Sequence, residues 1–252
     1  MLPLERRRQI LAILETEKRV LIPQLAKDFN VTEETIRRDL DKLEKEGLLT
    51  KTYGGAVQAD SLSADMPYRM REKTSMAQKQ VIAEKISKLL APKENIMLDA
   101  SSTCVSIAKK LKTRGKDSLT IITSSVEILV ECANVQHINA ISTGGVLRGS
   151  SLSLVGASAV YNLNQLMAHK AIISCKGLDF DKGVMESNLE EAEIKRTMAN
   201  NAKELILAVD SSKFGKMSFA KTLDWRRVSI VVSDNIPEEW VRFFDEHNIK
   251  YL

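Results

Sequence analysis

The chain has 252 residues, 44% of them apolar and 5% aromatic, with a formal charge of +4. That length accommodates one large domain or a small one followed by a medium one. No run of about 18 apolar residues is present to span a bilayer, and the opening MLPLERRRQI lacks the apolar stretch of a secretory signal. Charge decides little: residues 1–58 hold 11 Lys/Arg against 10 Asp/Glu, a net +1, which leaves +3 for the rest. A nucleic-acid contact must therefore rest on where the arginines point. Cys104, Cys132 and Cys175 are far apart and set in apolar surroundings, as buried reduced thiols are, which suggests a cytoplasmic protein. No His/Cys/carboxylate spacing suggests a metal site, and no cofactor is expected.

In chain order, Leu4, Arg7, Leu11 and Leu14, with Ile10 beside them, predict an amphipathic helix to about Glu15. Pro23 suits the first position of a second helix, whose apolar stripe is Leu25, Ala26 and Phe29. Asn30 suits a left-handed helix end. Thr32 can cap a third helix, with Glu33 and Glu34 favouring its dipole. Ile36, Leu40 and Leu43 form its buried face and Gly47 ends it. LLTKTYGGAV then reads as two short strands about a Tyr-Gly-Gly turn. Three helices and a hairpin make a winged helix-turn-helix over residues 1–58.

Residues 59–75 lack periodicity and read as a linker. A sensor domain follows over 76–252. It opens with a helix over 76–90 and then alternates. Strands are expected at 95–99, 119–123, 138–142, 170–174, 204–209 and 228–233. Helices are expected near 103–112, 125–133, 157–167, 189–202 and 237–247. Such alternation implies an α/β domain with a mostly parallel sheet covered on both faces.

With Ile36 at the centre of the buried face, Glu34, Arg38, Asp41 and Lys45 point away from the core, flanked by Thr35, Arg37 and Lys42. An arginine pair on a short helix held by a second helix is what major-groove reading needs. Lys51 and Tyr53 of the wing would reach backbone or minor groove, and Gly54 and Gly55 permit the turn. The competing interpretation is a solvated charged face, and the carboxylates of Glu33 and Glu34 count against DNA.

In the second half, Asp99-Ala100-Ser101-Ser102-Thr103 ends a strand and opens a helix, where backbone N–H groups and hydroxyls make an anion cradle. Ordinary N-capping is the plainer explanation. Further polar tips follow at Thr123-Ser124-Ser125, Thr143-Gly144-Gly145, Lys176-Gly177-Leu178-Asp179 and Asp210-Ser211-Ser212-Lys213. Hydroxyls and glycine amides suit phosphate, Lys213 supplies a counter-charge, and aspartates suit sugar hydroxyls.

VTEETIRRDLDKLEKEGLLTKTYGGAV resembles the N-terminal signature of the DeoR family of bacterial transcriptional regulators. LDASST, IITSS, STGGVLRGSSLSLVG, GLDFDKGVMESNLEEAEIKRTM and VDSSKFG extend the resemblance over nearly the whole chain. It implies operator DNA bound by Thr35, Arg37 and Arg38, to which Thr32 and Lys42 on the third helix and Lys51, Tyr53 and Gly54 on the wing are added by their placement, and repression of a carbohydrate-use operon. It also implies a sensor similar in fold to sugar-phosphate isomerases, with a phosphorylated sugar as effector. The matching effector positions are Asp99, Ser101, Ser102, Thr103, Thr123, Ser124, Gly144, Gly145, Asp179, Asn188, Glu191, Lys195 and Lys213. Three departures stand out. Lys176 before Gly177 is an added charge that would bias effector choice and joins the expected effector set. The first loop has no glycine, with Ala100 and Ser101 in its place. Ile194 stands where the isomerases carry a carboxylate before the lysine matching Lys195, so a non-enzymatic sensor is expected. A homo-oligomer, dimer or tetramer, would present paired recognition helices. The rivals are an isomerase or deaminase with an N-terminal appendage, and a wing domain used for protein contacts.

Overall fold

A computed structural model describes residues 2–58, 65–115 and 118–252. The chain divides into two compact units, residues 1–70 and 71–252.

The first unit opens with α1 (Pro3–Glu17), which ends where Lys18 turns left-handed at φ 64°. The short strand β1 (Arg19–Leu21) follows, then α2 (Ile22–Asp28) with Pro23 in its first turn. Asn30 takes φ 51° as expected. The third helix, α3 (Glu33–Lys45), is capped by the Thr32 hydroxyl, which accepts from the Thr35 amide at 3.3 Å. It ends before Gly47, whose φ is 69°. The wing strands β2 (Leu49–Thr52) and β3 (Gly55–Gln58) pair antiparallel, and β1 adds to the far side of β3. The wing is thus a three-stranded sheet rather than the bare hairpin expected. Gly55 is required there, because an added Cβ would lie 2.0 Å from the Val20 carbonyl oxygen.

The core of this unit joins Ile10 and Leu14 to Leu25, Ile36, Leu40, Leu43 and Leu49. The buried face of α1 is rotated from the expected one. Leu4 and Leu11 are only partly buried, whereas Arg6 and Arg7 are buried. Their partner is Asp39, with the Arg6 Nε 2.5 Å and the Arg7 Nε 3.7 Å from its carboxylate. A carboxylate on the inner side of α3 is tolerable only because this cationic pair meets it.

Within the expected linker, residues 59–64 lie outside the described residues, and a short helix α4 (Tyr68–Glu72) occupies its later part. Tyr68 and Met70 on that helix are buried.

In the second unit, α5 (Met76–Leu89) leads to β4 (Asn95–Leu98), α6 (Ser102–Leu111), β5 (Leu119–Thr123), α7 (Val126–Cys132) and β6 (Ile138–Ser142). A two-stranded ribbon of β7 (Val146–Arg148) and β8 (Ser153–Val155) precedes α8 (Ala157–Leu163) and β9 (Ala168–Ile173). Then come β10 (Gly177–Asp179), β11 (Gly183–Glu186), α9 (Leu189–Asn200), β12 (Ala202–Ala208), β13 (Ala220–Leu223), β14 (Ile230–Val232), α10 (Glu238–Glu246) and β15 (Lys250–Tyr251).

Seven strands form one sheet in the order β15-β14-β12-β9-β4-β5-β6, every neighbouring pair parallel. The chain starts at β4, builds outward through β5 and β6, then returns to β9 and builds the other way. The strand order therefore reverses between β4 and β9. In open α/β sheets that is where ligands bind, outside the carboxyl ends of the strands. The strands β10, β11 and β13 form a separate small sheet.

Candidate functional sites

The recognition helix presents Arg37 and Arg38 outward, and each is paired one turn back on its own helix. Arg37 meets Glu33 at 3.2 Å and Arg38 meets Glu34 at 3.1 Å. The Arg38 side chain remains 78% exposed. Exposed i,i+4 pairs are worth only about 0.3–0.5 kcal/mol, so an incoming anion can displace these carboxylates from both guanidinium groups. Lys42 is exposed and Thr35 is half-buried. Thr32 and Thr35 share a hydroxyl contact of 2.9 Å. Tyr53 stands fully exposed at the wing tip beside Gly54, whose φ is 91°. Lys51 is less free than the sequence suggests. Its ammonium binds Asp41, and its amide donates to Glu44 at 2.8 Å, bracing the wing against α3. The Asp41 bond raises the Lys51 pKa above its ordinary value.

At the sheet's switch point the side chains are mostly buried. Asp99, just past β4, accepts from the amides of Ser101 at 3.0 Å and Ser174 at 2.9 Å. Lys195 of α9 lies 3.2 Å from the same carboxylate, donates to the Ser174 carbonyl at 2.9 Å, and binds Glu186 at the end of β11. An ammonium has three N–H donors, and these three acceptors use them. Lys195 and Asp99, both expected effector positions, are paired with each other here, and Asp99 has no exposed surface. Burial alone would raise the Asp99 and Glu186 pKa values. The Lys195 charge and the hydrogen bonds overcome it and keep both below the ordinary carboxylate range. Burial works against the Lys195 charge as well, but Asp99 and Glu186 outweigh it and raise its pKa.

Glu186 was absent from the sequence-based set. Its sequence signal is slight, a lone carboxylate after the apolar run Val184-Met185. Lys176 lies close enough to Glu186 for its charge to help lower that pKa.

Further polar residues follow the ends of these strands. Ser101 caps α6, its hydroxyl accepting from the Cys104 amide at 3.1 Å. The Ser102 and Thr103 side-chain hydroxyls make no hydrogen bond among the described residues, and they sit in the first turn of that helix. Thr123 is committed to structure, donating to the Leu98 carbonyl at 2.7 Å and accepting from the Ser125 amide at 3.0 Å. The Ser124 hydroxyl is buried without a partner. Gly144 and Gly145 take φ 62° and 111°, and a Cβ on Gly145 would lie 2.6 Å from the Val155 carbonyl oxygen. Glu191 accepts from Ser153 on the β7–β8 ribbon and lies 3.9 Å from Arg148, which itself donates to Ser151 at 3.0 Å.

Asp210 and Lys213 lie past β12, 4.0 Å apart. Burial raises the Asp210 pKa, but Lys213 and the Ser212 bonds outweigh it and lower it. Burial pushes the Cys175 thiol to about 12, and the charges of Lys195, Glu186, Lys213 and Asp210 all act on it.

Two further expected effector positions make local hydrogen bonds. Asp179 closes the β10–β11 turn, accepting from the amides of Asp181 and Lys182 at 3.0 and 2.7 Å. Asn188 caps α9, accepting from Glu190 and Glu191 at 3.0 and 3.1 Å. Among the described residues no hydrogen bond or ion pair joins either side chain to Asp99, Glu186 or Lys195. Among the described residues no group of His, Cys, Asp and Glu is placed to hold a metal ion. No helix among them is long and apolar enough to cross a membrane.

A winged helix-turn-helix joined to a parallel α/β domain with polar strand tips defines a DNA-binding regulator with a sensor. The two halves match the DeoR-like helix-turn-helix domain over residues 6–62 and the DeoR C terminal sensor domain over residues 74–235. The chain belongs to the DeoR family of transcriptional regulators. It is 37% identical to the uncharacterized HTH-type transcriptional regulator YulB of Bacillus subtilis, across 93% of this chain and 90% of that one. It is 31% identical to the L-fucose operon activator of Haemophilus influenzae, across 95% of this chain and 96% of that one. Among solved structures it is similar to a ribose 5-phosphate isomerase from Methanocaldococcus jannaschii. That similarity has a TM-score of 0.43 and 16% identity, covering 56% of this chain and 55% of the isomerase.

Proposed function

We propose that the chain regulates a carbohydrate-utilisation operon, acting as a repressor whose operator affinity is set by a phosphorylated sugar. Operator contacts come from Thr32, Thr35, Arg37, Arg38 and Lys42 on α3, and from Tyr53 and Gly54 at the wing tip. Lys51 exchanges Asp41 for a phosphate when DNA arrives. Residues 1–58 read the operator and residues 76–252 sense the effector. The protein is cytoplasmic and acts as a homo-oligomer.

The observation that carries the effector reading is the start of α6. Its first-turn amides and the uncommitted Ser102 and Thr103 hydroxyls lie at the strand-order reversal. Helix N-termini favour phosphate. Lys176 and Lys213 add positive charge near the same strand ends. Asp99 and Lys195 shape this floor rather than touch the sugar.

The protein binds its effector without turning it over. Aldose–ketose isomerisation needs a free carboxylate near the carbon-bound proton. Ile194 is packed in the core, Glu193 is exposed to solvent and Glu191 is engaged by Ser153.

Calorimetry of the full chain with paired sugars, phosphorylated and free, tests the sensor. Tight binding of at least one phosphorylated sugar and far weaker binding of its free form is expected. Equal affinity across every pair overturns the phosphate assignment. Interconversion of a pentose or hexose phosphate followed by NMR, and lost in Glu191→Gln, would establish an enzyme instead.

A further inference from the structure

Lys79 on α5 is nearly fully buried, and nothing in the site described above uses it. Its ammonium donates to the carbonyls of Arg71 at 2.5 Å and Thr74 at 2.6 Å. Those carbonyls belong to the end of α4 and the turn after it, the stretch by which the chain enters the sensor unit. Ser75 at φ 50° makes the bend between α4 and α5. A second cation holds the same stretch from another side, since Lys109 of α6 donates to Glu72 at 3.0 Å.

The helix that carries Lys79 is tied to the sheet at one strand end. Lys85 donates to the Ser233 carbonyl at 2.7 Å, at the end of β14. The amide and hydroxyl of Ser211 donate to Asp234 at 2.8 and 3.0 Å, tying the Asp210–Lys213 loop to that same end. The charged and titratable groups that act on Lys79 are Asp210 and Lys213 from this loop, and Arg71 and Glu72 from the entering segment. The same helix α5 thus holds the entering segment through Lys79 and, through Lys85, the strand end to which the Asp210–Lys213 loop is tied.

We propose that Lys79 is the positioning residue through which an anion bound at the strand tips fixes the segment entering the sensor. The proposal rests on the effector reading above and adds the route by which the ligand is felt. A charged ammonium holds two carbonyls firmly, because charge-assisted hydrogen bonds are roughly twice as strong as neutral ones. A neutral amine holds them weakly. Burial lowers the Lys79 pKa to about 8, the Asp210 charge opposing this and the Lys213 charge adding to it. Without ligand the clamp therefore weakens as pH rises through about 8. An anion arriving beside Lys213 offsets that lysine's repulsion, keeps Lys79 protonated and tightens the clamp. An uncharged sugar in the same place leaves the clamp unchanged. The device answers to phosphate rather than to sugar shape.

Hydrogen exchange of the 71–75 amides in the full chain, corrected for intrinsic rates, tests this between pH 6.5 and 9.5. Inorganic phosphate is the probe, against chloride at equal ionic strength, with its binding read separately by calorimetry. In wild type, protection should fall as pH passes about 8, and phosphate should move the midpoint upward. Lys79→Arg, which stays charged at every accessible pH, should hold protection flat across the range. Lys79→Met should show low protection throughout. If Lys79→Met fails to fold, wild type against Lys79→Arg still decides. Protection that ignores pH in wild type, or falls equally in Lys79→Arg, overturns the clamp. Phosphate that binds without moving the midpoint overturns the coupling and leaves the effector reading intact. Failure of phosphate to bind defeats the coupling, and failure of phosphorylated sugars in the calorimetry above defeats the effector reading as well.

Discussion

The two units handle charge in opposite ways. On α3 the guanidinium groups proposed to read DNA are exposed and held by carboxylates of the same helix. At the sheet's switch point the charges are buried and held by residues distant in the chain, with Asp99, Glu186 and Lys195 locked together. An exposed pair costs little to open, so it suits a surface that must exchange partners. A buried cluster is expensive to break, so it suits a fixed floor on which other groups bind. In the first unit the residues proposed to contact DNA are the loosely held ones, and the same rule in the second unit favours Ser102, Thr103 and Lys213 over the buried lysine as the proposed effector contacts.

The largest expected effect is in the buried cluster. Lys195→Met leaves two carboxylates buried and unpaired, and should cost about 3–5 kcal/mol of sensor stability. Denaturant unfolding of the full chain, followed on a sensor tryptophan, measures it. A loss below about 1 kcal/mol would mean that water reaches the cluster and that Lys195 is available to ligand.

Next comes DNA. Arg37→Ala and Arg38→Ala should each weaken operator binding by about 1–3 kcal/mol per half-site. Stability should change by less than about 0.5 kcal/mol, since exposed pairs contribute little. Gel-shift titration with parallel unfolding curves separates the two quantities. Unchanged operator affinity in both variants would return α3 to a solvated charged face.

Gly145→Ala should follow in size. At φ 111°, with a Cβ pressed to 2.6 Å from the Val155 oxygen, the β7–β8 ribbon must shift. Strain of this kind costs about 1–3 kcal/mol. Effector affinity should fall while operator affinity without effector is retained. Wild-type effector binding would show that the ribbon does not form part of the pocket.

The smallest effect is graded with pH. The Asp99 and Glu186 pKa values are lowered by folding. Their contribution is therefore present above the unfolded carboxylate pKa, about 3.9–4.3, and is lost as pH falls through the lower folded values. The sensor's unfolding free energy should be level between pH 6 and 5 and decline below about pH 4. A decline beginning near neutrality would point to a different titrating group.

Legibility divided along the same line as charge. The helix α3 was readable because its apolar spacing, Thr32 cap and Gly47 stop are local signals. The alternation of the sensor was readable too, and the expected strands at 95–99 and 119–123 appear as β4 and β5. Strands too short for a period-2 pattern escaped, such as β1 with three residues and β15 with two. So did partnerships between distant positions. Nothing local to Asp39 announces Arg6, and nothing local to Asp99 announces Lys195. The aspartate and lysine were noticed for their chemistry, but burial decides whether that chemistry meets a ligand or a neighbour. Glu186 was overlooked because a lone carboxylate in an apolar strand has no motif.

The most direct test of the central claim is operator affinity of the full chain, titrated with a panel of phosphorylated sugars and their free counterparts. At least one phosphorylated sugar should shift the operator dissociation constant by roughly 5–150-fold, the usual range of allosteric coupling, with its free counterpart inert at the same concentration. An operator affinity that no phosphorylated sugar changes, or that a free sugar changes equally, would contradict it.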